Sequence, residues 1–117
     1  MRILITGSRD WSDRQVIQTH ILDVTGEGKD ITIVTGACPT GADAIAVSIA
    51  KTSGWTIENH PAEWGRYGKG AGPIRNSEMV NLGADVCLAF IKNNSKGATH
   101  TASLSKKAGI ETRIYRG

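Results

Sequence analysis

Short apolar runs alternate along the chain with longer stretches whose apolar residues recur every three or four positions. Arg2 to Thr6 (Arg-Ile-Leu-Ile-Thr) is the first short run and predicts a strand. Val16, Ile17, His20, Ile21 and Val24 then share one helical face, with Ser12 and Gln15 as a capping box before them and Gly26 and Gly28 after. Ile31, Ile33 and Val34, with Thr between and after them, form a β-branched run suited to a sheet covered on both faces. Ala42, Ile45, Ala46, Ile49 and Ala50 resume helical spacing up to Gly54. Trp55 to Asn59 reads as a third, weaker strand. The glycine-rich stretch from His60 to Gly72 reads as a loop longer than a usual β–α connection, the kind that serves as a lid or binding loop. Pro73 suits the first position of a helix running to about Leu82 and stopping at Gly83. Asp85 to Phe90 predicts a fourth strand, Ile91 to Ala98 a polar loop, and the next stretch a helix ending at Lys106-Lys107-Ala108-Gly109. Glu111 to Tyr115 closes the pattern as a fifth strand.

Five strands alternating with helices predict a single α/β domain over residues 1–117. The architecture expected is a Rossmann-like three-layer sandwich, a five-stranded parallel sheet of order 3-2-1-4-5 with helices on both faces. In that order the switch point lies between the first and fourth strands, and a ligand sits over the C-terminal strand ends. The loops at Gly7, Gly36 and Ile91 converge there, and the segment from His60 can fold over them. Nothing after the first strand reads G-x-G-x-x-G, so the dinucleotide fingerprint is missing.

The segment from Ile31 to Asp43 carries the strongest local signal. It reads as a strand, a turn bracketed by Gly36 and Gly41, and a helix start with Thr40 and Asp43 as a capping box. Such a turn presents unpaired N–H groups and a positive dipole end, an anion site and most often one for phosphate. An ordinary β–α turn needing glycine for tightness explains it equally well. Gly36 and Gly41 match the glycines of G-x-x-x-x-G-K-[ST], but Ala42 and Asp43 stand where Lys and Ser/Thr belong, which argues against NTP hydrolysis.

A formal net charge of +3 fits an anionic ligand and falls short of the basic stripe of a dedicated nucleic-acid binder. Cys38 and Cys87 make no disulfide framework, and a reducing cytosol suits them. Met1 leads directly into a strand, with no signal peptide and no apolar run of bilayer-spanning length, so the expected location is cytoplasmic. No metal-ligand spacing and no G-x-S-x-G is present, and no metal or cofactor is expected.

Four pieces stand in order: Gly7-Ser8-Arg9-Asp10-Trp11; Thr35-Gly36-Ala37 with Gly41-Ala42-Asp43; His60-Pro61-Ala62-Glu63-Trp64 leading to Arg66-Tyr67-Gly68-Lys69; and Gly72-Pro73-Ile74-Arg75-Asn76. Together they resemble the YspA-like branch of the SLOG superfamily (SMF/DprA and LOG proteins) over essentially the whole chain. The resemblance implies a Rossmann-like domain that binds nucleotide-derived ligands such as ADP-ribose or related NAD metabolites. It also implies homodimers, which LOG and other SLOG proteins commonly form. Relatives include the LOG phosphoribohydrolases, which release a base from a nucleoside monophosphate, and DprA, which binds single-stranded DNA. Arg75-Asn76-Ser77-Glu78-Met79 looks like the LOG segment Arg-Lys-x-x-Met, so Arg75 occupies the place of its catalytic arginine. The LOG motif P-G-G-x-G-T-x-x-E corresponds to Lys92–Thr101, which keeps one glycine and has no glutamate. Phosphate binding survives that departure, whereas base hydrolysis lacks its carboxylate there.

The reading is therefore a protein that binds a phosphate-bearing nucleotide derivative through Gly7, Ser8, Arg9, Gly36, Ala37, Thr40, Gly41, Asp43, Arg75, Asn76 and Gly97. Arg9 is the expected phosphate clamp. Asp43 would repel phosphate, so beyond capping its role would be to bond ribose hydroxyls. Arg75 falls in the first turn of its helix, where a cation opposes the dipole and Glu78 can offset it, so an anion there would explain it better. Trp64 and Tyr67 read as pinning their loop to the core, and His20 reads as structural. His60 and His100 lie near the site with nothing in the sequence to orient their rings, and Cys38 has no evident His partner. Two alternatives stand beside this reading: an N-glycosidase using Arg75 with Asp43 or Glu78, and a DprA-like single-stranded DNA binder.

Overall fold

The structure, a computed structural model, describes residues 1–26 and 30–117. Strands β1 (Arg2–Gly7), β2 (Thr32–Thr35), β3 (Thr56–Asn59), β4 (Val86–Ile91) and β5 (Glu111–Arg116) pair in parallel in the order β3-β2-β1-β4-β5, as the sequence predicts. The register sets Ile3 beside Ile33 and Val86, and Gly7 beside Phe90. Helices α1 (Arg14–Thr25) and α2 (Gly41–Ser53) cover one face, where Ile3, Ile5, Ile33, Leu88 and Phe90 meet Ile17, Ile21, Ala46 and Ile49. Helices α4 (Ala71–Asn81) and α5 (Lys96–Lys107) cover the other, where Leu4, Val34 and Cys87 meet Met79 and Val80, and Ala89 and Ile91 meet Ala98 and Ala102. Strand side chains alternate between faces, so each central strand must be apolar throughout to fill both cores. All of β4 is buried, as this requires. Among the described residues no helix is long and apolar enough to cross a membrane.

Local starts differ from the sequence reading in four places. Asp13, not Ser12, caps α1: its Oδ1 accepts the Val16 N–H at 3.2 Å, and no Ser12–Gln15 box forms. Gly26 closes that helix, and Gly28 lies outside the described residues. The predicted loop His60–Gly72 is largely helical, with a one-turn helix α3 (Trp64–Tyr67) and a 3-10 turn (Gly68–Gly70) feeding directly into α4. Pro73 therefore sits two residues inside α4, where its ring is still tolerated because the first N–H groups have no intrahelical partners. Finally, β4 runs on through Ile91 and α5 begins at Lys96, which shortens the predicted loop Ile91–Ala98 from both ends.

Gly7 is fixed by packing. A Cβ there would overlap the Cβ of Ala42 and the carbonyl oxygen of Phe90. Gly7→Ala is expected to lower stability by about 1–3 kcal/mol through overpacking. Gly65→Ala, facing open space in α3, should instead be neutral or raise stability by up to ~0.5–1 kcal/mol. Urea midpoints of the two variants check the contrast, and equal destabilisation would refute it.

Candidate functional site

The first loop is fastened by Ser8, which is 1% exposed. Its N–H donates to Phe90 O at 2.9 Å, and its carbonyl accepts from the N–H groups of Trp11 and Ala42, both at 3.2 Å. Its hydroxyl accepts the Lys92 N–H at 2.7 Å and donates to Lys92 O at 2.9 Å. The hydroxyl thus continues the β1–β4 ladder by one step, and its protein bonds fix it in place. Arg9, the next residue, is exposed and makes no hydrogen bond or ion pair among the described residues.

The turn before α2 is built differently from the expected capping box. Thr40 occupies the cap position, but its side chain makes no capping bond. The Asp43 carboxylate instead turns back, and its Oδ2 accepts the Cys38 N–H at 3.3 Å. Gly41 adopts φ +72°, and a Cβ on it would strike the backbone of Ser8 and Arg9, so only glycine allows the first loop to dock against α2. That docking takes the Ala42 N–H, so α2 does not offer a bare anion cradle. Ala37 is left-handed at φ 60°, held by its N–H to Thr35 Oγ1 at 3.1 Å. Asp43 itself is 8% exposed, and burial lifts its pKa from 3.8 to about 6 against the opposing pull of N–H donors, Arg75 and Arg9.

Arg75 reaches this turn from α4. It is the fifth residue of that helix rather than part of its first turn, and no Glu78 pair forms. Its Nη1 donates to Gly36 O, and at 3.5 Å to His60 O; its Nε donates to Asn76 Oδ1 at 2.8 Å. A Cβ on Gly36 would overlap the guanidinium, so the close approach that Gly36 permits is to Arg75. The buried Asn76 amide is thereby oriented: its Nδ2 faces His100 Nδ1 at 3.2 Å, which must accept and so carries no proton there. His60 is oriented as well, its Nε2 lying 2.7 Å from Glu58 Oε2. Arg2 grips the same carboxylate with two bonds of 2.8 Å, and these partners hold Glu58 down at about 2.

The Ser8–Arg9 loop, the turn before α2, and Arg75 with Asn76 wall a crevice of about 770 Å³ over the C-terminal ends of β1, β2 and β4. Every residue that the sequence assigns to ligand binding lines it except Gly41, which packs behind the turn; His60, His100, Tyr67 and Glu78 do not line it. The sequence reading missed Asn93 and Ser95 as lining residues, and it misjudged Trp64, which is 52% exposed at the wall and does not pin its segment to the core. Asn93 and Asn94 are both left-handed (φ 54° and 52°); the Asn-Asn pair was the available signal, since Asn tolerates that region. Gly97 stands in the first turn of α5, where the N–H groups of Lys96, Gly97 and Ala98 have no backbone partner among the described residues. The start of α5 is therefore an open helix end at this crevice. Among the described residues no group of three or more His, Cys, Asp and Glu is placed to hold a metal ion.

Two outcomes follow from this geometry. Ser8→Ala strands the N–H and C=O of Lys92 and is expected to cost about 1–3 kcal/mol in chemical denaturation; an unchanged midpoint would remove Ser8 from its structural role. For Asp43 the folded pKa is raised, so the ionised carboxylate destabilises the fold above about pH 6 and the penalty fades as pH falls toward 3.8. Asp43→Asn should then be more stable than the parent by about 1–3 kcal/mol at pH 8, with the gap closing by pH 4. Denaturation midpoints at the two pH values test this, and a variant less stable at pH 8 contradicts it.

Comparison with known proteins bears on what such a crevice belongs to. No solved structure matches the chain. It is 41% identical over 114 residues to the gene 61 protein of Mycobacterium phage D29, an alignment spanning 93% of this chain and 91% of that protein. A model of the YspA, cpYpsA-related SLOG family matches residues 1–67, the span holding Ser8, Arg9, the Gly36–Asp43 turn and Trp64. The chain belongs to the YspA, cpYpsA-related SLOG family.

Proposed function

We propose that the protein binds a phosphate-bearing nucleotide derivative, such as ADP-ribose, another NAD metabolite or a nucleotide, in the crevice at the C-terminal edge of the sheet. The observation that carries the reading is the pair of arginines facing a nucleotide-sized space, Arg75 fixed by backbone carbonyls and Arg9 free of protein partners among the described residues. The volume falls in the usual range for small-molecule sites, roughly 300–1,000 Å³. Arg75 spends Nε and Nη1 on the protein, while Nη2 has no partner among the described residues and remains to donate to an anion. The unpaired N–H groups at the start of α5 add donors and a positive dipole end. Charge-assisted bonds contribute about 1.5–3 kcal/mol each, so two of them and a few sugar or base contacts reach micromolar affinity, near −8 kcal/mol.

Asp43 favours a second reading, cleavage of the glycosidic bond of a nucleoside monophosphate. A buried carboxylate at about 6 beside an arginine suits a general base near neutrality. Adenine release from AMP that disappears in Asp43→Asn would establish it, and its absence leaves the binding role.

Thermal melts with ADP-ribose, NAD, ADP and AMP at millimolar concentration test the first reading. A ligand at ~100 times its Kd adds about 2.7 kcal/mol to the folded state, a rise of several degrees. Arg9→Ala should change unliganded stability by no more than about 0.5 kcal/mol and weaken binding roughly tenfold. No shift across the panel would overturn the reading.

A further inference from the structure

Within the crevice the arginines answer to an anion, but Asp43 does not. It lines the same space, is 8% exposed, and has no Lys, Arg or His nitrogen within 4.0 Å among the described residues. It is held by backbone N–H groups of the turn, and the bond from the Cys38 N–H to Oδ2 is long at 3.3 Å. An ionised carboxylate has about four acceptor positions, so capacity remains that the turn does not use. Capping does not explain it either, since the expected exchange with Thr40 is not made.

A ligand whose phosphate lies on the arginines must present something other than a second anion to this carboxylate. Neutral hydrogen-bond donors satisfy it, and a vicinal diol offers two O–H groups at a spacing that one carboxylate can accept. Resting on the nucleotide-binding reading above, we propose that Asp43 accepts hydrogen bonds from the 2′- and 3′-hydroxyls of a ribose, so that the ligand is a ribonucleotide and not a deoxyribonucleotide. A site built to bond a hydroxyl rejects an analogue without it, because the buried acceptor is then left unpaired. Deoxyribonucleotides, and with them single-stranded DNA, are disfavoured by the same carboxylate. The other neutral donor a nucleotide carries is the exocyclic amine of its base, which a separate probe distinguishes.

The test is isothermal titration at pH 8 of ADP, 2′-deoxy-ADP, 3′-deoxy-ADP and IDP into the parent protein and Asp43→Asn. Each deoxy analogue should bind the parent roughly tenfold or more weakly than ADP, IDP should match ADP within about twofold, and the ADP preference should shrink to about twofold in the variant. Equal binding of ADP and the deoxy analogues overturns the proposal while leaving nucleotide binding intact. A loss confined to IDP assigns Asp43 to the base and also overturns it. Discrimination that persists in Asp43→Asn gives the diol to another group. If the variant does not fold, the parent ratios decide. If none of the four binds, the proposal falls, and the melts with ADP-ribose then show whether the broader reading falls with it.

Discussion

The close meeting of three chain segments at Ser8 sets the geometry of everything around it. One buried residue bonds the end of β1 to the end of β4, to its own loop and to the start of α2. For the segments to come that close, Gly7 and Gly41 must lack side chains, because Ala42, Phe90 and the Ser8–Arg9 backbone occupy the space. Parallel strands end together at one edge, and the switch between β2 and β4 across β1 leaves a gap there. The anchored loop forms one wall of that gap, which leaves the Arg9 side chain, the residue after the anchor, free to serve a ligand. Adjacent residues thus face opposite ways, Ser8 inward as the anchor and Arg9 outward at the crevice.

Around this anchor the crevice keeps features that folding alone would not select. Ala37, Asn93 and Asn94 sit in the left-handed region, which costs a non-glycine residue of order 1–2 kcal/mol. Asp43 is a carboxylate held in a site that favours its neutral form. All four lie at the two strand-to-helix junctions beside the crevice, Asp43 in the first turn of α2, and no other non-glycine residue is left-handed among the described residues. Unfavourable terms concentrated at one edge, with both cores well packed behind it, accord with the binding role proposed for this crevice.

The sheet was legible because central strands buried on both faces leave an apolar, β-branched trace, and because helices and strands alternate regularly. β1, β2, β4 and the α2 stripe were read on that basis. Capping is less legible: Ser12, Thr40 and Asp43 fit a local pattern, but the adjacent Asp13 takes the first cap, and Ser8 and the buried turn decide which groups at α2 are bonded. His60–Gly72 looked like loop because glycine lowers helix propensity, yet packing of successive short turns into α4 overrode it. The crevice residues were legible mainly through resemblance to a family; the contacts joining Arg75 to Gly36 and Asn76 to His100 span too much sequence for any local pattern to reveal.

Arg75 shows how the long-range contacts change the meaning of a residue that local reasoning had found. In a first helical turn an arginine opposes the dipole, and an anion would be needed to explain it. Its actual place deeper in α4 removes that argument. The guanidinium is held by Gly36 O, His60 O and Asn76 Oδ1, and Asn76 is held in turn by His100. His60 belongs to the Glu58–Arg2 cluster at the end of β3, so the segments that follow β2 and β3 and, through Asn76, helix α5 all bear on one side chain. A long, flexible cation loses rotamer entropy when it binds an anion, and that loss has already been met by the fold. The bonds that fix Arg75 also consume part of its donor capacity, so under the proposed binding role it would offer fewer donors than a free arginine, but offer them without reorganisation.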